Sequence, residues 1–460
     1  MCGICVSSGY PSYFPLAPEP LSSSVDQTYA LVDCENFYVS CERVFDPSLR
    51  GQPVAVLSNN DGCIIARSEE LKVPSDGREG VPMGAPYFKW EEALQERGAA
   101  VLSSNYALYG DMSRRVTQVL EKEALELERY SIDEAFLTLP DLSRKNLWRL
   151  AERIRRRVLR WIGVPIRVGI GPTKTLAKVA DENAKARKRA GWGQGTYVCP
   201  EEPEREELLR RVPVGDIWGI GSAYEEKLKE KGVASAAGFR ALPDPWIRKE
   251  MTVVGLRTAW ELRGRPCLHL ELVRPDRKTL VRSRSFGERV ESKENLRQAL
   301  AKHSQRASEK LREEDLVARG IQAFITTKRF GEPPRYGNGV GATLPEHTAR
   351  AAPFVRATGR LLEVIYRADY GYKKAGVQLY DIRPSRPHQE SLFGRGREED
   401  ERLMAAVSQV NREHGNGTLG LAAAGLPGSD SAGREWTMKR QQKSPRYTTR
   451  WDELPVARAR

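Results

Sequence analysis

Tyr29-Ala30-Leu31-Val32-Asp33-Cys34-Glu35-Asn36-Phe37-Tyr38 is a short apolar run that stops on acids. Tyr29 to Val32 suits a buried strand, and the change after it predicts that the chain leaves the sheet there. A second stretch has the same character. Ser131-Ile132-Asp133-Glu134 is flanked by two short strands, the second beginning near Ala135-Phe136-Leu137. Three acids beside buried strands are costly unless something positive sits among them. A pair of Mg2+ ions is a natural partner, because Mg2+ takes oxygen ligands from a few carboxylates and substrate phosphates. Two such ions clamp the attacking and leaving oxygens of an in-line phosphoryl displacement. Taken singly, Asp33 reads as well as the cap of a following helix, and Asp133-Glu134 as an exposed turn.

Outward from these strands, Pro53 to Leu57 and Cys63 to Ala66 also read as strands, and Val73 to Gly84 as loop. Asn105 to Glu123 predicts a helix with Tyr109, Met112, Val116, Val119 and Leu120 on one face. Leu147 to Trp161 is a basic amphipathic helix and Val164 to Ile170 a strand. Gly171-Pro172 then turns the chain into a helix from Thr173 to about Lys188. The mixed order suits an α/β or α+β sheet with helices on one face. Residues 201–265 read as helices with short turns. Strand, helix, strand, strand, helix and strand follow at Thr279 to Phe286, Glu294 to Arg312, Gly320 to Lys328, Gly337 to Leu344, His347 to Tyr366 and Lys374 to Asp381. That order is the split βαβ arrangement.

The chain has 460 residues, which predicts several domains. Its net charge of +13 points to a polyanionic partner, nucleic acid first, although a basic soluble protein would show the same excess. No run of ~18 apolar residues predicts a membrane-spanning helix. The Ser- and Pro-rich start lacks a secretory pattern and reads as a disordered leader over residues 1–27, or as a start placed too far upstream. Seven dispersed cysteines fit reduced thiols in the cytoplasm, and the Cys2/Cys5 pair has no second pair at zinc-site spacing.

Asp33-Cys34-Glu35-Asn36-Phe37-Tyr38 and Ser131-Ile132-Asp133-Glu134-Ala135 resemble the two metal-binding motifs of Y-family DNA polymerases. Leu57-Ser58-Asn59-Asn60-Asp61-Gly62-Cys63, Ser104-Asn105-Tyr106 and Ser283-Arg284-Ser285-Phe286-Gly287 narrow the resemblance to the UmuC-like branch with its plasmid-borne members. It extends from about Tyr29 almost to the C-terminus. The resemblance implies an α+β multidomain right hand. It would have a mixed-sheet palm with small fingers (28–200, fingers about 52–95), a helix-hairpin-helix thumb (201–265) and a split βαβ little finger (278–384). A flexible tail would follow (385–460). The implied activity is error-prone translesion synthesis in the SOS response to DNA damage. Asp33 and Asp133 would each touch two Mg2+ ions, Glu134 would complete the site that activates the primer 3′-hydroxyl, and the Cys34 carbonyl would be a further ligand. Tyr38 matches the steric gate against ribonucleotides.

Lys174, Lys178 and Lys185 share one helical face. A solvated basic face gives the same pattern. By the resemblance, Lys185 reaches the triphosphate, with Lys178 nearby and Lys72 as the finger cation. The family's short link after that lysine is replaced here by Val73-Pro74-Ser75-Asp76-Gly77-Arg78-Glu79, so Arg67 or Arg78 are alternatives to Lys72. Ile217-Trp218-Gly219-Ile220-Gly221 resembles a DNA hairpin in which Gly219 and Gly221 expose backbone N–H groups to phosphate. An ordinary tight turn reads the same. Arg282, Arg284, Lys328 and Arg329 are the expected duplex contacts. Gln389-Glu390-Ser391-Leu392-Phe393 matches the peptide that docks on the bacterial sliding clamp, with Gln389, Leu392 and Phe393 as anchors. Trp436 to Arg440 and Ser444 to Arg450 resemble the branch-specific tail.

The implied partners are primed, damaged DNA with dNTPs, the sliding clamp, a UmuD-type dimer and a RecA filament, on the nucleoid in the cytoplasm. The rivals are a DinB-type bypass polymerase, a catalytically silent DNA-binding regulatory subunit and a metal-dependent nucleotide cyclase.

Overall fold

The computed structural model describes residues 27–72, 79–273, 276–328, 334–385, 397–415, 418–425 and 440–455. The leader with Cys2 and Cys5, the stretch Val73 to Arg78, Arg329, the peptide Gln389 to Phe393 and Trp436 to Lys439 lie outside the described residues.

The chain begins β1 (Thr28–Cys34), α1 (Phe37–Phe45), β2 (Val54–Leu57), β3 (Ile64–Arg67), α2 (Glu69–Lys72), α3 (Tyr87–Glu96), β4 (Ala100–Ser103) and α4 (Tyr106–Leu120). It continues β5 (Glu126–Arg129), β6 (Glu134–Leu139), α5 (Arg144–Ile162), β7 (Ile166–Gly171), α6 (Lys174–Arg189) and β8 (Thr196–Val198). Four helices follow: α7 (Glu204–Arg210), α8 (Ser222–Glu230), α9 (Ala236–Arg240) and α10 (Asp244–Leu262). The last part is β9 (Thr279–Val290), α11 (Lys293–Glu313), β10 (Leu316–Thr326), β11 (Gly337–Thr348), α12 (Ala351–Ile365), β12 (Tyr372–Pro384) and α13 (Arg397–Glu413).

Two compact units result, one of Met1–Ser40 with Tyr109–Leu272, the other of Cys41–Leu108 with Val273–Arg460. In the first, a five-stranded sheet runs in the order β5-β6-β1-β7-β8. β1 lies at its centre, antiparallel to β6 and β7. Helix α6 packs on the face that carries Tyr29, Leu31 and Phe136, bringing Ala177 into that cluster. The close approach depends on glycine: a Cβ on Gly169 would stand 2.2 Å from the Asp181 backbone nitrogen, and one on Gly171 2.8 Å from that of Ala177. Thr173 caps the helix by accepting from the Leu176 N–H at 3.2 Å. Helices α7 to α10 share one core, including Leu209, Phe239, Ile247 and Leu262.

The second unit holds two sheets. One is three-stranded, in the order β3-β2-β4, packed around Leu57, Ile64, Leu71 and Leu94. The other is four-stranded, in the order β11-β10-β12-β9, with α11 and α12 supplying Leu300, Leu311, Phe354 and Leu362 to its core. Its element order is the expected β-α-β-β-α-β. The strands are longer than the apolar runs predicted. β11 continues to Thr348, displacing the start of α12 from the expected His347 to Ala351. Pairing with β10 holds its polar, glycine-rich residues in place, an effect that apolar periodicity does not report. β8, three residues paired in parallel with β7, is too short to show a period. In the stretch expected to be a flexible tail, α13 forms and Asn411 and Ala424 are buried.

Candidate active site

β1 ends at Cys34, whose N–H donates to the Asp133 carbonyl at 2.9 Å. The chain then turns through Asn36 at φ 47°, a left-handed conformation that asparagine tolerates better than most residues. It enters α1 with the Asn36 carbonyl accepting from Ser40 N–H at 2.9 Å. Register does the rest. Asp33 lies opposite Glu134 on β6 and opposite Arg167 on β7. Cross-strand partners project from the same face of a sheet, so two acids and one base meet there.

Arg167 binds the Asp33 carboxylate at 2.8 Å and that of Asp181, from α6, at 3.0 Å. Glu134 is paired with Lys178 at 3.1 Å. Asp133 accepts from the Ser131 hydroxyl at 2.6 Å. Burial pushes the Asp33 carboxyl up to about 7 against the pull of Arg167, and the negative Asp181, Glu134 and Asp133 add to the rise. Burial likewise pushes the Cys34 thiol well up. Among the described residues no three His, Cys, Asp or Glu side chains already stand as a metal cluster. Each carboxylate is instead held by a base or a hydroxyl. The donor set is all oxygen, it converges on one strand end, and its electrostatics favour a cation, which fits a hard divalent ion.

Tyr38, half-buried in the first turn of α1, stacks on Tyr109 with ring centroids 4.4 Å apart. Lys178 lies 4.6 Å from the Tyr130 ring centre and 5.5 Å from that of Trp218. Trp218 donates to the Tyr130 hydroxyl at 3.0 Å. The hairpin residue is thereby joined to the wall beside Glu134. Lys185 pairs with Glu182 at 3.0 Å and Lys72 with Glu69 at 3.1 Å. In the hairpin, Gly219 takes φ 92° and Gly221 caps α8.

Arg282 and Arg284 are exposed on the edge strand β9. By alternation they belong to the side of Leu280 and Phe286, which α11 covers, and not to the sheet's open face. The open face carries Ser283, Gly376, Phe324 and Gly339 in register across the four strands. Lys328 is exposed just beyond β10. Sequence reading missed Arg167 and Asp181. The signal was present, because an arginine inside Ile166-Arg167-Val168-Gly169-Ile170 needs a buried acid.

The impB/mucB/samB family model matches residues 32–182, and its C-terminal domain matches 277–392. Between them the IMS family HHH motif matches 202–233, and a domain of unknown function, DUF4113, matches 401–457. The protein UmuC of Salmonella typhimurium is 40% identical over 430 residues, which cover 93% of this chain and 99% of that one. The chain belongs to the UmuC-like Y-family DNA polymerases. ImpB of the same organism is 39% identical over 438 residues, 94% of this chain and 99% of ImpB. Among solved structures, a Y-family DNA polymerase chimera of Dbh and Dpo4 superposes with a TM-score of 0.59 at 20% identity, over 78% of this chain and 99% of that one. The fold is thus the α+β fold of the Y-family polymerases, with mixed sheets and helices. Membership implies a DNA-directed DNA polymerase that depends on divalent metal. Among the described residues no helix is long and apolar enough to cross a membrane.

Proposed function

We propose that this chain is an error-prone translesion DNA polymerase that extends a primer opposite damaged template, induced as part of the SOS response. The observation that carries the reading is the register of β1. It sets Asp33 against Glu134, with Asp133 bonded through its carbonyl to Cys34.

Two Mg2+ ions are the proposed cofactors. Asp33 and Asp133 would hold both, with Glu134 and the Cys34 carbonyl completing one site. When bound, the ions supply charge stabilisation to the in-line displacement of pyrophosphate by the primer 3′-hydroxyl. The chain's own residues prepare that step. Arg167 and Asp181 fix Asp33, and Ser131 orients Asp133. Lys178 pairs with Glu134 and, with Lys185, would bind the triphosphate. Lys72 is the finger cation. Tyr38 lies under the incoming sugar.

Gly219 and Gly221 present backbone N–H groups to the DNA backbone. Arg282, Arg284, Lys328 and Arg329 supply phosphate contacts that are sequence-independent. The proposed domains are palm and fingers over 28–200, thumb over 201–265 and little finger over 278–384. Gln389, Leu392 and Phe393 would dock on the sliding clamp. A UmuD-type dimer and a RecA filament are the proposed activators, and the nucleoid is the proposed location.

Primer extension by the purified chain, with Mg2+ and with and without those proteins, tests the proposal. Extension past a lesion that disappears in Asp133→Asn while DNA binding persists supports it. Wild-type extension by Asp133→Asn refutes the metal site, and no templated extension under any condition refutes the activity.

A further inference from the structure

We propose that the described C-terminal stretches 402–415, 418–425 and 440–455 act as an intramolecular strap that docks at two points of the second unit, on its four-stranded domain and on the edge of its three-stranded sheet. This goes beyond the polymerase reading and does not rest on it.

The first docking point is on α11. Gln305, only 9% exposed, accepts from the Leu421 N–H at 3.2 Å and donates to the Leu419 carbonyl at 3.5 Å. Asn411 of α13, 6% exposed, bonds both backbone groups of Leu419, at 2.8 Å and 3.0 Å. Gly420 permits the fit, since a Cβ there would stand 2.9 Å from the Gln305 amide nitrogen. Arg312 adds a hydrogen bond to the Ser408 hydroxyl at 3.3 Å.

The second point is the edge of the three-stranded sheet. β4 is an outer strand, and an uncovered strand edge leaves backbone groups unpaired. The terminal segment covers it. Ser103 N–H donates to the Gln442 carbonyl at 2.9 Å, and Ser103 and Lys443 form a parallel bridge. Asn105, wholly buried, donates to the Ser444 hydroxyl and the Pro445 carbonyl, both at 2.9 Å. The Ser444 hydroxyl donates to buried Glu42 at 3.0 Å. Tyr447 stacks on Phe45 at 4.7 Å. Buried polar groups of this kind cost free energy when they lose their partners, so Glu42 and Asn105 specify the segment that answers them. Main-chain pairing plus side-chain pockets is how a sheet edge recognises an extended peptide.

Between the two points the sheet and the domain also touch directly, through the Asn60 amide and the Ser285 carbonyl at 2.8 Å. Beside that contact the Gln441 N–H donates to the Asp61 carboxylate at 3.2 Å and Arg440 donates to the Asn59 side-chain carbonyl at 3.3 Å, so the docked tail braces the turn that carries Asn60.

Hydrogen exchange on the full-length protein tests this. In the wild type the Ser103 amide and the amides of 441–444 should be protected, equally so after tenfold dilution. Ser444→Glu sets a carboxylate against Glu42, and Tyr447→Ala removes the stack. Each should speed exchange at Ser103 and around Asn60 by tenfold or more while β10 and β12 stay protected, which shows that the fold is retained. Gln305→Ala should free Leu421 and leave Ser103 protected. Rapid wild-type exchange at Ser103, or unchanged exchange in both tail variants, overturns the docking. Loss of protection on dilution overturns the intramolecular strap in favour of exchange between two copies.

Discussion

Arg167 binds the carboxylate of Asp33 at 2.8 Å across neighbouring strands. Its second partner, Asp181, is nearly buried and shares the guanidinium at 3.0 Å. In the proposed site Asp33 holds metal, and a fixed cation beside such a carboxylate orients it and also competes with the metal. Asp181 draws part of that charge away. Asp181→Asn should therefore tighten Arg167 on Asp33 and raise the Mg2+ concentration for half-maximal nucleotide insertion several-fold. The rate at saturating Mg2+ should change little. A Mg2+ titration of single-nucleotide insertion that matches the wild type would sink this role, and a rate lost at all concentrations would point to simple unfolding.

The Tyr38 ring is braced by Tyr109, stacked with an interplanar angle of 15°. In its proposed role as steric gate, Tyr38 works only if its ring cannot swing aside. Tyr38→Ala should raise ribonucleotide insertion relative to deoxyribonucleotide by at least tenfold, about 1.4 kcal/mol of relative barrier. Tyr109→Leu keeps the gate but removes its brace, so a smaller loosening in the same direction is expected. Insertion kinetics with paired rNTP and dNTP measure both. Unchanged sugar discrimination in Tyr38→Ala would remove the gate assignment.

His303 lies on the buried side of α11, and its Nε2 has no hydrogen-bond partner among the described residues. Burial first, then the positive Arg284, Lys302 and Arg282, pushes it down to about 4 from an ordinary 6.5. The unfolded chain takes up a proton near pH 6.5 that the folded chain refuses. Stability is therefore full above that pH, falls as pH drops towards 4, and levels off below. The loss is on the order of 3 kcal/mol, at ~1.4 kcal/mol per unit. His303→Leu should abolish this part of the acid sensitivity. Urea midpoints at neutral and mildly acid pH check it, and an equal acid shift in variant and wild type would refute it.

Much of this was legible in the sequence. Strand and helix periodicity located β1, β7, α4, α6 and the split βαβ order, because their burial is one-sided or complete and leaves a regular apolar pattern. The acids at the end of β1 and the start of β6 stood out as charges on buried strands. Pairing was not legible. That Asp33 faces Arg167, or that Arg282 lies on the helix side of β9, depends on register, which one strand's sequence does not contain. The tail motifs were legible as a resemblance, but their docking was not. That docking uses polar side chains and backbone groups, as at Asn105 and Ser444, and polar docking leaves no apolar signature.

Leu392-Phe393 is an apolar pair between Glu390-Ser391 and Gly394-Arg395-Gly396. Its surroundings carry neither strand nor helix periodicity, so no intramolecular core is indicated for it. Two large apolar side chains left in water gain nothing, and a partner's pocket would bury them. Gln389, three residues earlier, would fix the register of such a peptide. Tethering the polymerase to a ring on DNA raises the local concentration of its catalytic domain at the primer end without any new contact to substrate. The benefit is largest for an enzyme whose own grip is mostly phosphate contacts. Replacing both Leu392 and Phe393 by Ala should therefore remove clamp binding and cut processive synthesis on clamp-loaded template. Single-nucleotide insertion without the clamp should be unchanged, since neither residue of the pair is among the proposed metal ligands or nucleotide contacts. Equal clamp affinity of variant and wild type in a binding titration would end this assignment, and a parallel loss of clamp-free insertion would show that the pair supports the fold instead.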